Sequence, residues 1–343
     1  MARWRGLRIA VWGDFVADEF VHGEIARVSR EAPVLILKQR SRSVTPGGAG
    51  NAAMNLAALG ARVAVIGVVG DDETGRAVRE AFRRAGIDTG GLASLRDRGT
   101  PTKTRILASQ THTTPQQVIR VDREPEPGLP AALEAQLARR AQAMGARGHA
   151  LLLSDYGYGA VTPARAQAVR AALGAGAVIT VDSRYRLADY NCGLTAATPN
   201  EPELEEIYHL PIGHDRAHLE EAGRALLARL GCRWLLVTRG RDGMALFAPG
   251  RATRHVPVYG SDQAVDVTGA GDTVIAAFTA ALAAGADGAA AARLANIAGG
   301  IVVMKRGTAT VSAAELAAAC RGTQDGIERP ERRKALKPKS KSS

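Results

Sequence analysis

Ala150-Leu151-Leu152-Leu153-Ser154, Val178-Ile179-Thr180-Val181-Asp182 and Trp234-Leu235-Leu236-Val237-Thr238 are three apolar runs of five residues, each closed by a polar group. Runs that short, apolar along nearly their whole length, read as strands buried on both faces. Segments 131–144, 163–173 and 216–230 precede them and carry apolar residues at helical spacing. Helix and strand therefore alternate, which predicts an α/β fold with a mostly parallel central sheet covered by helices on both faces.

Working back toward the N-terminus, 7–12 is another buried strand, ended by Gly13-Asp14. Segment 50–59 predicts a helix, 63–69 a strand and 74–84 a helix. Segment 21–38 alternates irregularly, with 34–38 strand-like before a break at Pro46-Gly47-Gly48, and 102–106 and 117–121 are polar and β-like with loop between. Two insertions, near 15–45 and 100–122, thus predict a small β lid over the sheet rather than a second domain. Toward the C-terminus, 271–284, 288–305 and 312–321 are helices rich in small residues. No internal repeat occurs, so one domain is expected over 1–322, followed by a tail at 323–343.

The chain has 343 residues, 46% hydrophobic and 23% charged, which suits a large globular core. No apolar run reaches the roughly 18 residues of a membrane span and no secretory leader pattern opens the chain, so a cytoplasmic protein is expected. Cys192, Cys232 and Cys320 fall in no ligand spacing and read as reduced thiols. Of the net charge of +11, the last fifteen residues, with seven Lys/Arg and one Glu, supply six. Such a tail is expected to be a solubilising, disordered end more readily than a nucleic-acid contact.

The densest chemistry lies in Asp266-Val267-Thr268-Gly269-Ala270-Gly271-Asp272-Thr273. Glycines let backbone N–H groups approach a ligand, and the loop opens directly into an apolar helix, so it predicts an anion site. A carboxylate inside an anion site repels a resting phosphate. It makes sense where Asp272 takes the proton of an attacking hydroxyl while the amides absorb charge on a transferring phosphoryl group. A capped helix start explains the same residues without chemistry. Two loose dinucleotide patterns, Gly48-x-Gly50-x-x-Ala53 and Gly269-x-Gly271-x-x-Val274, lack the strand context they need: 40–46 reads as polar and Pro-terminated, not a strand, and no strand follows the second. No GxxxxGK[ST] is present.

Four segments together resemble the ribokinase-like (PfkB) carbohydrate kinases over about 7–320: the Asp266 to Asp272 stretch, Pro46-Gly47-Gly48-Ala49-Gly50-Asn51-Ala52-Ala53, Gly13-Asp14, and Asn200-Glu201-Pro202-Glu203. Arg27 to Val34, Leu153-Ser154-Asp155-Tyr156-Gly157 and Gly307 to Ser312 are similar, within that family, to the kinase domains of bifunctional heptose-phosphate kinase/adenylyltransferases. Those domains phosphorylate C1 of D-glycero-β-D-manno-heptose 7-phosphate on the route to ADP-heptose for the lipopolysaccharide core. No His-x-Gly-His occurs, so a kinase without the adenylyltransferase half is expected.

The resemblance implies a ribokinase-like fold and a phosphotransferase using ATP and Mg²⁺. Asp272 would be the base, with Gly269, Ala270 and Gly271 as the anion hole. Asp14, Asp18, Gly47, Gly48 and Asn51 would hold sugar hydroxyls. Lys103, Arg105 and Arg120, with Arg184, are candidates for the substrate's phosphate. Asn200, Glu201, Pro202 and Glu203 would organise Mg²⁺-triphosphate, Glu203 through water. Thr238, Gly240, Gly243 and Asn296 would line the nucleotide, and Asp266 a monovalent cation such as K⁺. Arg30 and Ser183 stand where the subgroup commonly has proline, and Arg184 where it has lysine. A homodimer joined through the lids is implied, with no membrane partner and no nucleic acid beyond the tail. The rival readings are another kinase of the family, acting on ribose, fructose, fructose phosphate or a nucleoside, and a non-catalytic sugar-phosphate sensor. His112 and its Thr-rich loop have no assigned role.

Overall fold

The computed structural model describes residues 4–109, 115–260 and 264–325. His112 with the Thr-rich loop, and the tail beyond 325, lie outside the described residues. The strands are β1 (Arg8–Gly13), β2 (Phe15–Val28), β3 (Leu35–Gly48), β4 (Arg62–Gly70), β5 (Asp88–Leu95), β6 (Thr102–Ser109), β7 (Gln116–Arg123), β8 (Ala150–Asp155), β9 (Val178–Ser183), β10 (Ala196–Ala197), β11 (Trp234–Thr238), β12 (Met244–Phe247) and β13 (Arg254–Val256). The helices are α1 (Ala49–Ala58), α2 (Glu73–Arg84), α3 (Ala131–Arg147), α4 (Pro163–Leu173), α5 (Glu201–Tyr208), α6 (Arg216–Leu230), α7 (Ala270–Ala283), α8 (Gly288–Val302) and α9 (Ala313–Asp325).

The central sheet runs β13-β12-β11-β10-β9-β8-β1-β4-β5. It is parallel from β11 through β5, and only β12 and β13 pair antiparallel at one edge. Strand β1 explains the layering: Ile9 and Val11 join the core under α1, α7 and α8, while Ala10 and Trp12 join the core under α3, α4 and α6. That period-two partition into two buried faces produces a continuous apolar run. Because the core strands run parallel, Asp14, Asp155, Ser183 and Thr238 all emerge along one rim, where ligands of open α/β sheets bind.

The lid is a separate sheet in the order β3-β2-β6-β7, joined to the core sheet at Gly13. Three expectations change here. Segment 21–38 belongs to two fourteen-residue strands whose ladder slips at His22/Gly23 and Ile25/Arg27, and those bulges break its alternation. Pro46-Gly47-Gly48 is the end of β3, paired with Ala17, Val16 and Phe15, rather than a break. The polar stretch 40–46 is likewise strand, its polar character reflecting that residues 40–43 face water on both sides; β3 is an edge, where proline costs no ladder bond. The strands β5, β10, β12 and β13 were not expected. They are short, glycine-containing or split by turns, and offer little periodic signal. Helix α9 continues to Asp325, three residues into the segment read as tail. Cys192, Cys232 and Cys320 form no disulfide among the described residues.

Candidate active site

Where the lid meets the sheet rim a cleft of about 290 Å³ opens. Its floor is the start of α7. Gly269 sits at the N-cap with φ +74°, and no side chain among the described residues caps the helix. The first-turn N–H groups of Gly271 and Asp272 have no intrahelical carbonyl to meet, so this end is electropositive. A Cβ at position 269 would lie 2.3 Å from Asn51 Nδ2, so glycine is required by space as well as by φ. Asp272 is 5% exposed one turn in. Asn51 Nδ2 donates to its Oδ2 at 3.1 Å and to the Gly269 carbonyl at 3.0 Å, while the Tyr156 hydroxyl donates to Oδ1 at 2.9 Å. Burial, then the nearby Asp182 charge, pushes the Asp272 carboxyl up to about 7, against the pull of those two donors. A base held near neutrality beside a helix N-terminus suits proton abstraction coupled to phosphoryl transfer.

The lid supplies the opposite wall. Asp18 is buried, its carboxylate taking Arg105 Nη1 at 2.6 Å and the Thr308 hydroxyl at 2.8 Å. Gly47 lies flat against it: a Cβ there would fall 2.3 Å from Asp18 Oδ2. Gly48 lines the cleft directly. Lys103 also lines it, with its ammonium 5.5 Å from the centre of the Tyr156 ring, and burial followed by the Arg184 charge depresses its pKa. Arg184 faces the same space. Arg120 stands apart on β7, ion-paired with Asp122 at 2.9 Å and absent from the cleft lining.

Asp14, expected among sugar hydroxyls, is also not in this cleft. Its carboxylate accepts three backbone N–H groups, from Tyr156 at 2.9 Å, Tyr158 at 3.0 Å and Ala160 at 2.9 Å. A buried carboxylate satisfied in this way ties a loop rather than a ligand. Burial, then Asp155, raises it to about 6.

Across the cleft, Asn200 and Glu203 form a capping box on α5: the Glu203 N–H donates to Asn200 Oδ1 at 2.8 Å and the Asn200 N–H to Glu203 Oε2 at 2.9 Å. Glu201 turns away to Arg239 at 2.5 Å, and Pro202 only starts the helix. Burial pushes Glu203 up to about 7, and burial with the Glu203 charge raises Asp182 as well. Both recessed carboxylates line the cleft, and beside them the buried Thr198 Oγ1 has no hydrogen-bond partner among the described residues. Two carboxylates and an orphan hydroxyl fit a cation that keeps much of its water, as Mg²⁺ does. No group of three or more His, Cys, Asp or Glu forms a metal cage among the described residues. Asp266 lies below the loop, accepting N–H groups of Thr268 and Gly307; these outweigh burial and hold it ionised.

A second, mainly apolar slot of about 390 Å³ continues from the first, sharing Thr238, Val267, Ala270 and Gly271 with it. Gly240, Gly243 and Asn296 line it, although the Asn296 amide is spent on the Pro257 carbonyl at 2.8 Å. Polar and apolar compartments therefore meet at the start of α7.

Residues 9–315 match the pfkB family carbohydrate kinases. The chain belongs to that family. It is 40% identical over 315 residues to the bifunctional protein HldE of Pelobacter propionicus, and similarly to HldE of Geobacter metallireducens, covering 92% of this chain in each case. It spans about 63% of the length of these curated relatives. Among solved structures it resembles Arabidopsis thaliana ribokinase complexed with ribose and ATP, with TM-score 0.71, 19% identity, and 92% and 98% of the two chains covered. It also resembles Escherichia coli phosphofructokinase-2 in complex with potassium, with TM-score 0.76, 17% identity, and 93% and 99% covered. The fold is ribokinase-like, and the family is one of carbohydrate kinases, enzymes that transfer a phosphoryl group to a sugar hydroxyl. No helix among the described residues is long and apolar enough to cross a membrane.

Tyr156 and Asp182 were missed as site residues by sequence reading. Tyr156 lies in the Leu153 to Gly157 segment, where nothing in the sequence gives it a role, and Asp182 stands two residues before the more conspicuous Arg184 cation. The strand-end position of Asp182, shared with Asp14, was the available signal.

The raised carboxyls make stability depend on pH. Asp14, Asp272 and Glu203 hold protons in the folded chain that an unfolded carboxyl releases near pH 4. Their stabilisation is complete below that pH and is lost as pH rises through about 6 to 7. The urea midpoint is therefore expected to fall between about pH 5.5 and about pH 7.5, more in the wild type than in Asp272→Asn. Equal slopes in the two proteins would show that Asp272 does not titrate in this window.

Proposed function

We propose that the chain is an ATP- and Mg²⁺-dependent kinase that phosphorylates the C1 hydroxyl of D-glycero-β-D-manno-heptose 7-phosphate, giving the 1,7-bisphosphate for ADP-heptose synthesis in the cytoplasm. The observation that carries this reading is the buried Asp272 carboxylate inside an uncapped helix N-terminus, where a polar and an apolar compartment join. ATP fits with its base in the apolar slot and its γ-phosphate at the α7 amides. The acceptor hydroxyl then lies between Asp272 and that phosphorus, gives its proton to the carboxylate and attacks in line. Glu203, through water, with Asp182 and Thr198 beside it, would hold Mg²⁺, which when bound supplies charge neutralisation on the triphosphate. A K⁺ near Asp266 is supported by the potassium in the phosphofructokinase-2 structure.

Heptose phosphate is favoured over other acceptors by the similarity to HldE proteins along 92% of the chain and by the Lys103 and Arg184 cations in the polar compartment. A sensor has no use for a base at this position. Lid pairing into a homodimer is supported by Ile119 and Val121, which are about half exposed on the lid face opposite Lys103 and Arg105; sedimentation equilibrium reads it directly, and a monomer at micromolar concentration contradicts it. The test of the function is ADP release over a panel of heptose 7-phosphate, fructose, fructose 6-phosphate, ribose and adenosine. Heptose 7-phosphate is expected to give the highest kcat/KM. Turnover of fructose or ribose without turnover of heptose 7-phosphate would overturn the choice of substrate.

A further inference from the structure

We propose that Tyr156 is a positioning residue for phosphoryl transfer, its hydroxyl aiming Asp272 and its ring forming the platform for the sugar, and that Asp14 acts by fixing the loop that carries Tyr156. This rests on the reading of Asp272 as base.

Three contacts place the ring. It lies against Gly48, where a Cβ would come within 3.1 Å of it, and it carries the Lys103 ammonium 5.5 Å from its centre. Its edge ends at Asp272, and it lines the cleft together with Asp18. An acceptor bound between Asp18 and Asp272 therefore rests on this ring. A tyrosine face suits a sugar's C–H surface, while its hydroxyl stays hydrogen-bonded.

The hydroxyl has one role visible in the contacts. Asn51 fixes Asp272 Oδ2, and without a second donor the carboxylate would remain free to turn about that bond. The Tyr156 hydroxyl on Oδ1 removes this freedom. It remains a donor because burial, then Asp272, holds its pKa well above the usual tyrosine value. A base aimed in advance loses less on reaching the transition state.

The backbone supplies the third link. Asp14 gathers the N–H groups of Tyr156, Tyr158 and Ala160 onto one carboxylate. The strand end that brings Asp14 to the rim thus sets Tyr156, and through it Asp272. This accounts for a Gly-Asp at the end of β1 whose carboxylate does not reach the cleft.

Around Asp272 the charged or hydrogen-bonding groups are Asn51 from α1, Asp18 and Lys103 from the lid, Tyr156 after β8, and Asp182 and Arg184 at the end of β9. Of these, Tyr156→Phe removes one hydroxyl and keeps the ring. With heptose 7-phosphate and Mg-ATP, kcat is expected to fall about tenfold or more while the sugar KM stays within about twofold. The acid limb of the kcat profile moves to higher pH, since a lost donor makes the carboxylate harder to ionise. Tyr156→Leu, which loses the platform too, raises the KM as well.

A reading independent of the sugar is the carbon-13 titration of the Asp272 carboxyl, assigned by its disappearance in Asp272→Asn. Its midpoint is expected to be higher in Tyr156→Phe than in the wild type. An inactive Asp272→Asn beside a Tyr156→Phe with unchanged kcat and unchanged midpoint overturns this inference alone. An active Asp272→Asn overturns the base reading itself.

Discussion

Asp272→Asn is expected to lose at least about 10³-fold in kcat, in the upper range for deleting a general base, while the fold stays as stable or gains. The two halves of that expectation have one cause. Asp272 is buried close to the Asp182 charge, and its carboxyl is pushed up to about 7. Folding therefore pays to hold it where chemistry needs it. An amide of the same shape removes both the proton acceptor and the repulsion. ADP release measures the first effect and urea unfolding at about pH 8 the second. A variant that is inactive and also much less stable would mean that Asp272 is mainly a structural anchor for Asn51 and Tyr156.

Gly269→Ala is expected to lose about 10²- to 10³-fold in kcat, the range for removing an oxyanion-type donor, and roughly 1 to 3 kcal/mol of stability through left-handed backbone strain. At φ +74° an added methyl also meets Asn51 at 2.3 Å. Asn51 cannot retreat without releasing both the Gly269 carbonyl and Asp272. Gly271→Ala is the control, because a Cβ there meets nothing within 4 Å. It is expected to keep stability and to raise the KM for ATP only, by crowding the phosphate. If both variants behaved alike, the constraint at position 269 would not be the turn geometry described.

The parallel core was legible because β1, β4, β8, β9 and β11 are buried on both faces over most of their length, leaving apolar runs such as Leu151 to Leu153. The lid was legible only as something polar and β-like. Strand β7 and most of β3 are exposed, and the bulges in β2 and β3 shift the alternation that a sequence pattern relies on. The site divides in the same way. Asp272 and Gly269 stand out because a glycine-bracketed loop opening an apolar helix predicts an anion site, and a carboxylate inside an anion site points to a base. Asn200 and Glu203 are visible as a motif, yet the same two side chains spend most of their hydrogen bonds capping α5. Asp14 illustrates what spacing cannot tell: a carboxylate at a strand end can serve a ligand or a loop, and only the three N–H groups converging on it decide. Tyr156 was hidden because its contact with Asp272 spans 116 residues.

The most direct measurement is a crystal structure with ADP, aluminium fluoride and the sugar phosphate bound. The aluminium is expected within hydrogen-bonding reach, through its fluorides, of the N–H groups of Gly271 and Asp272, with the acceptor oxygen on Asp272. A transition-state mimic seated away from that turn, or an acceptor oxygen remote from Asp272, would contradict it.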